Sequence, residues 1–155
     1  MVKVLFVCLG NICRSPMAEG LFKERIKQLK LEKHILVASR ATSSWEVGNP
    51  PHPGTTKLLK SLSIDTKNMV AEKISTKDFI DYDYIIGMDE SNVFDLIKLS
   101  PKLGHKVYLY LDILENLDNK SIPDPYYTHD FNETYVLINQ AIDKWIEKFK
   151  NHPKF

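Results

Sequence analysis

Apolar residues along the chain follow two patterns, which alternate. The first is the short run. Val2 to Cys8 is apolar at every position but Lys3, as expected of a strand buried on both faces of a parallel sheet. The second is helical spacing. After Ser15-Pro16, apolar residues recur at Ala18, Leu21, Phe22, Ile26 and Leu29. This predicts a helix with proline at a permitted first-turn position. Ile35 to Ala38 is a second strand-like run. Ser43 to Gly54 reads as a loop, because Trp45, Gly48, Asn49, Pro50, Pro51 and Pro53 forbid regular structure over most of it. Leu58, Leu59 and Leu62 predict a short helix, and Ser75 with Asp78 has the spacing of a capping box. Tyr84 to Met88 is a third strand, and Asp89 is placed to cap a helix carrying Val93, Phe94 and Ile97. Val107 to Leu111 is a fourth strand, followed by loop from 112 to 130. Phe131, Tyr135, Ile138, Ile142, Trp145 and Phe149 then repeat in alternating steps of four and three residues, the apolar stripe of a long helix.

Strands alternating with helices predict an α/β fold: a four-stranded parallel sheet with helices on both faces, doubly wound and Rossmann-like. The chain has 155 residues, which suits one domain over 1–155. In such sheets ligands bind beyond the carboxyl ends of the strands. Cys8 stands at the carboxyl end of the first.

Composition narrows the classes of function. Net charge is +1, so no overall field draws the molecule to nucleic acid or to a membrane surface. Arg14, Arg25 and Arg40 are the only arginines, and the many lysines are scattered as on a solvated surface. Two cysteines make no disulfide framework, which points to a reducing, cytoplasmic compartment. After Lys3, the uninterrupted apolar run Val4 to Leu9 is shorter than the ~7–15 residues of a signal-peptide core, and Asn11 and Arg14 follow it at once. Export without such a signal remains open.

The candidate chemistry lies in Cys8-Leu9-Gly10-Asn11-Ile12-Cys13-Arg14-Ser15-Pro16. A strand that turns tightly into a helix points backbone N–H groups and the helix dipole at one spot, which makes an anion site. Gly10 permits the positive φ that such a cradle often requires. Arg14 offers a planar fork that matches two phosphate oxygens, which lysine cannot do. In that setting a cysteine pKa can fall from ~8.5 to roughly 3.5–7.5, which would make Cys8 a nucleophilic thiolate. Ser15 is either a helix cap or a donor to that thiolate, and Asn11 either a turn residue or a brace for the loop. Displacing a leaving group from phosphorus also requires a general acid on the side opposite the sulfur. Asp124, in Pro123-Asp124-Pro125-Tyr126-Tyr127, is the candidate, held between prolines beside two aromatics. As a plain surface turn it would do nothing.

The nine-residue loop and Asp124-Pro125-Tyr126-Tyr127 together resemble the low-molecular-weight protein tyrosine phosphatases. Thr42-Ser43-Ser44-Trp45 with Gly48, and Met88-Asp89-Glu90-Ser91-Asn92, extend the likeness over nearly the whole chain. The resemblance implies hydrolysis of phosphotyrosine or another aryl phosphate through a phosphocysteine intermediate, with inorganic phosphate as product. It implies Cys8 as nucleophile, Arg14 as phosphoryl clamp and Asp124 as acid and then base. Leu9, Gly10, Asn11, Ile12, Cys13 and Ser15 would complete the phosphate loop, and Leu9, Trp45, Tyr126 and Tyr127 would line a slot for the phenyl ring. No metal and no cofactor are implied, and the five histidines lack metal-ligand spacing.

Two stretches depart from the family pattern. Met69-Val70-Ala71-Glu72 stands where many members carry a histidine that supports the loop asparagine, which puts the partner of Asn11 in question. His52-Pro53-Gly54 replaces an Asp-x-Arg pattern. Cys13 admits two readings: loop packing, or a resolving thiol that closes a disulfide on oxidised Cys8. Two other functions fit the fold. An arsenate reductase usually relays through further cysteines, which are absent from this sequence. A non-catalytic phosphate-binding module would not need both a nucleophile and an acid.

Overall fold

A computed structural model describes residues 1–155. Strands β1 (Val2–Cys8), β2 (Ile35–Ala41), β3 (Tyr84–Gly87) and β4 (Val107–Leu109) form one sheet in the order β2-β1-β3-β4. All three pairings are parallel, with Cys8 opposite Ala41 and Val7 opposite Gly87. The expected four-stranded parallel sheet is therefore present. Its order reverses at β1, so the carboxyl ends of β1 and β3 flank the crevice where such sheets bind ligands.

The helices are α1 (Arg14–Gln28), α2 (Pro53–Ser61), α3 (Thr76–Asp81), α4 (Glu90–Leu99), α5 (Pro125–Thr128) and α6 (Phe131–Lys150). Alternate residues of β1 enter different cores. Val2, Val4, Phe6 and Cys8 pack with Met17, Phe22, Ile138, Trp145 and Phe149 of α1 and α6. Leu5 and Val7 pack on the other face with Phe79 of α3 and Leu96 of α4. A strand covered on both faces has no reason to alternate with polar residues, which explains its unbroken run.

Several elements differ from the sequence expectation. β2 continues three residues past Ala38, because Ala41 still pairs with Cys8. β4 stops at Leu109, and Tyr110–Ile113 form a 3-10 turn. Tyr110 is buried there, donating its hydroxyl to the Ile138 carbonyl at 2.6 Å and accepting the Trp145 indole N–H on its own carbonyl at 2.9 Å. Those two bonds to α6 satisfy its polar groups outside the sheet. The α4 stripe is rotated. Asn92 and Leu96 are its buried residues, while Phe94 and Ile97 are exposed. Asn92 goes inside because its Oδ1 accepts the amides of Met88 and Asp89, closing the start of the helix. The capping box before α3 is present, with the Ser75 amide donating to Asp78 at 3.0 Å. Beyond that 3-10 turn, residues 114 to 130 are loop except for the single turn α5.

Candidate active site

The loop between β1 and α1 bends where the sequence did not place the bend. Asn11 carries the left-handed backbone, with φ 58°, and Gly10 does not. Asparagine tolerates that region better than most residues. A Cβ at Gly10 would meet Cγ of Glu46 at 3.4 Å, an ordinary contact, so the structure places no size limit there. The helix also begins earlier than expected, with Cys13 at the N-cap and Arg14 as its first residue. Ser15 is therefore inside the first turn and is not the cap. Its hydroxyl lies 3.1 Å from the Cys8 sulfur. The Asn11 amide points at the same sulfur from 3.3 Å. No backbone carbonyl receives the amides of Leu9, Gly10, Ile12 or Cys13, as a loop built to hold an external anion requires.

Distant segments hold the loop rigidly. The His52 amide donates to the Ile12 carbonyl at 2.8 Å, and the buried Thr55 hydroxyl donates to the Cys13 carbonyl at 3.1 Å. Met69 gives Asn11 no hydrogen bond. The backbone amide of Glu72 donates to Asn11 Oδ1 instead, at 3.0 Å, while Asn11 Nδ2 donates to Ser15 and Ser39 at 2.7 and 2.9 Å. The His52-Pro53-Gly54 departure also has a structural role. The His52 ring stacks on Phe131 at 4.9 Å and meets Tyr126 edge-on at 6.3 Å. Gly54 is needed beside it, since a Cβ would overlap the Phe131 ring.

Arg14 is only 2% exposed and spans three segments. Its NH1 donates to Asp89 Oδ2 at 2.6 Å and to the Ile122 carbonyl at 2.9 Å, and its NH2 to Asp124 Oδ2 at 3.3 Å. Its Nε has no partner among the protein atoms. Burial opposes the charged guanidinium, but the Cys8 sulfur, Asp124 and Asp89 outweigh it and hold the proton more tightly than usual. Asp89 also caps α4, accepting the Asn92 amide on Oδ1 at 2.7 Å. Asp124 reaches the site because the Ile122 amide donates to the Met88 carbonyl at 3.0 Å, docking its loop on the end of β3. Asp124 Oδ1 accepts the Tyr126 amide at 3.0 Å, which starts α5.

A cavity of about 270 Å³ opens over the sulfur, and Cys8, Leu9, Gly10, Ile12, Cys13, Trp45, Glu46, Asp124, Tyr126 and Tyr127 line it. It therefore gathers the four expected slot residues. Glu46 is an addition that the sequence did not single out. Arg14, Asn11 and Ser15 lie beneath this lining, buried. Burial, reinforced by the charges of Cys8 and Asp124, pushes the Cys13 thiol far above its ordinary value. Asp89, Ile122, Thr55, Ser39 and Glu19 support the site and were missed as such. Only Asp89 stood in a quoted motif, and there as a helix cap.

With this geometry established, the chain can be compared with known proteins. Residues 3–154 match the family model described as low molecular weight phosphotyrosine protein phosphatase. The Staphylococcus aureus protein-tyrosine-phosphatase PtpA, also of low molecular weight, is 42% identical over 147 residues, covering 95% of this chain and 93% of the relative. The crystal structure of YfkJ from Bacillus subtilis superposes with a TM-score of 0.94 at 40% identity, covering 97% and 95% of the two chains. The structure of DARP, named drosophila arginine phosphatase, gives a TM-score of 0.88 at 34% identity, covering 97% and 99%. No helix is long and apolar enough to cross a membrane.

Proposed function

Since this chain belongs to the low molecular weight phosphotyrosine protein phosphatase family, we propose that it hydrolyses aryl phosphates, phosphotyrosine on proteins foremost, with Cys8, Arg14 and Asp124 as its catalytic residues. One observation carries the assignment. Asp124 and Cys8 line one pocket, and Arg14 NH2, beneath that lining, donates to Asp124 at 3.3 Å across 110 positions of sequence. Nucleophile and acid thus face one space, with the clamp bonded to the acid.

The chemistry follows from those positions. The phosphoryl group sits in the loop, where amides and the Arg14 fork donate hydrogen bonds to its oxygens, more strongly as charge develops in the transition state. The Cys8 thiolate attacks phosphorus and the bond to the phenolic oxygen breaks. Asp124 gives its proton to that oxygen as it leaves. The same carboxylate then takes a proton from water as the water attacks the phosphocysteine. The S–P bond breaks, inorganic phosphate departs and the thiolate is restored. Ser15 supports the sulfur as leaving group by hydrogen bonding. Residues 1–155 act as one domain in this scheme. Two unpaired cysteines support a cytoplasmic place of action.

The pocket walls favour an aryl group. Leu9, Ile12, Trp45, Tyr126 and Tyr127 offer apolar and aromatic surface, which suits a phenyl ring; Glu46 and Asp124 are the carboxylates of that lining that could receive a guanidinium's N–H groups, which makes phosphoarginine the comparator. The test is hydrolysis of p-nitrophenyl phosphate and of a phosphotyrosine peptide, with phosphoarginine as comparator and EDTA present. Wild type is expected to act on the aryl esters undiminished by EDTA. Cys8→Ser should show no turnover, and Asp124→Ala should lose about 10²- to 10⁴-fold in kcat. Full activity in Cys8→Ser, or preference for phosphoarginine, would overturn the assignment.

A further inference from the structure

We propose that His52 is a positioning residue for the substrate's ring: it fixes Tyr126, one wall of the slot, at a set distance from the phosphate loop. The inference rests on the pocket taking an aryl phosphate. It adds a residue that lies outside the cavity lining.

Tyr126 is poorly held by its own turn. Its ring is 48% exposed, and two rings meet it edge-on, Tyr127 at 5.2 Å and His52 at 6.3 Å. Tyr127 is itself 65% exposed and belongs to the same single turn, α5. His52 is therefore the anchored neighbour. Its backbone N–H donates to the Ile12 carbonyl at 2.8 Å, which ties position 52 to the phosphate loop. Its side chain is set separately. Nδ1 accepts the Gly54 amide at 2.9 Å, capping α2 and fixing the ring's rotation. The imidazole also stacks on Phe131, with centroids 4.9 Å apart and planes 27° apart. Phe131 in turn packs against Ile12 and Cys13 of the loop.

Two routes thus lead from the phosphate loop to one imidazole, a backbone hydrogen bond and a packed ring. From the imidazole a single edge-on contact leads to the wall. Edge-to-face pairs are directional, so His52 sets the tilt of Tyr126 as well as its distance. The chemistry needs such a link. A phosphoryl group seated in the loop carries its aryl ring at a distance fixed by covalent bonds, so the wall must be placed relative to the loop. Helix capping alone does not account for the ring. Asparagine caps helices well without one.

That difference separates the two duties of His52. His52→Asn can keep an acceptor for the Gly54 amide and removes the ring. His52→Phe keeps the ring and removes the acceptor. The readouts are kcat and KM for a phosphotyrosine peptide, and Ki for inorganic phosphate, which fills the loop but carries no ring. In His52→Asn, KM should rise about threefold or more, the scale of one aromatic pair. Its kcat and phosphate Ki should stay within about twofold of wild type. In His52→Phe, all three should stay within about twofold. If His52→Phe folds poorly, Phe131→Leu takes its place: it should raise KM as His52→Asn does, and the double variant should add nothing further. Unchanged KM in His52→Asn would overturn the proposal. So would equal rises in His52→Asn and His52→Phe, which would leave the cap as the cause, or a phosphate Ki that rises with KM, which would place the defect in the loop. Failure of the aryl phosphate reading is a separate result: wild type itself would not hydrolyse the peptide, and the proposal would fall with it.

Discussion

At the scale of single residues, the site is a set of groups each held by more than one partner. Arg14 is the clearest case. Asp89 and the Ile122 carbonyl take one nitrogen and Asp124 the other. In the proposed reaction a guanidinium so fixed would lose little freedom on binding phosphate, which would keep its orientation ready for the transition state. Cys13 is the contrasting case. Its thiol is pushed up by burial and by the Cys8 charge, so it stays protonated and does not compete as a nucleophile. Oxidation of Cys8 by peroxide to the neutral sulfenic acid takes away that charge. The Cys13 sulfur can then displace hydroxide from the oxidised sulfur, releasing water and closing a disulfide. Cys13→Ser is therefore expected to recover less activity than wild type when thiol is added after peroxide. Equal recovery would leave Cys13 with packing alone.

At the scale of elements, each helix of the site begins at a residue with a second duty. Asp89 caps α4 and holds Arg14. Asp124 starts α5 and faces the pocket. Placing these carboxylates at helix starts fixes their rotamers through the capping bond. The rotated stripe of α4 has a measurable consequence. Leu96 is fully buried against β1 and α3, while Phe94 is 67% exposed. Leu96→Ala should cost about 2–5 kcal/mol in denaturant unfolding. Phe94→Ser should stay within about 0.5 kcal/mol of wild type. Reversed magnitudes would mean that the apolar stripe of the sequence, Val93-Phe94-Ile97, is the packed face after all.

At the scale of the whole molecule, two cores clasp one sheet, and the site lies at the carboxyl end of its central strand. The opposite end of the sheet is tied by Asp83. Its carboxylate accepts the Lys3 amide at 2.8 Å and Lys154 Nζ at 3.0 Å, joining β1, the entry to β3 and the segment after α6. Burial alone would raise the Asp83 carboxyl, but the Lys3 amide and the Lys154 ammonium hold it below the ordinary aspartate value. A carboxyl depressed in the folded state stabilises fully above its unfolded pKa, about 3.9, and loses that contribution as pH falls through the lower folded value. Asp83→Asn should therefore lower the melting temperature near pH 6 and converge with wild type near pH 2. A constant difference across that range would mean that the effect is packing rather than charge.

What was legible in the sequence was local. The unbroken β1 run, the α6 stripe and the Ser75–Asp78 box depend on neighbours along the chain, and each was found in place. The loop with its cysteine and arginine and the later Asp124 stood out by residue type and spacing, while the slot residues Leu9, Trp45, Tyr126 and Tyr127, which line the cavity, were implied only by the family resemblance. Tertiary structure decided the rest. Which side of α4 faces inward depended on a buried asparagine closing a cap. The left-handed turn fell to Asn11 over Gly10 because Asn11 alone is bonded on both sides of its amide. Glu19 and Ser39 were joined behind the loop only when α1 was laid against β2. A hydrogen bond between residues far apart in sequence leaves no periodicity and no spacing to read, so the fold itself must bring its two ends together.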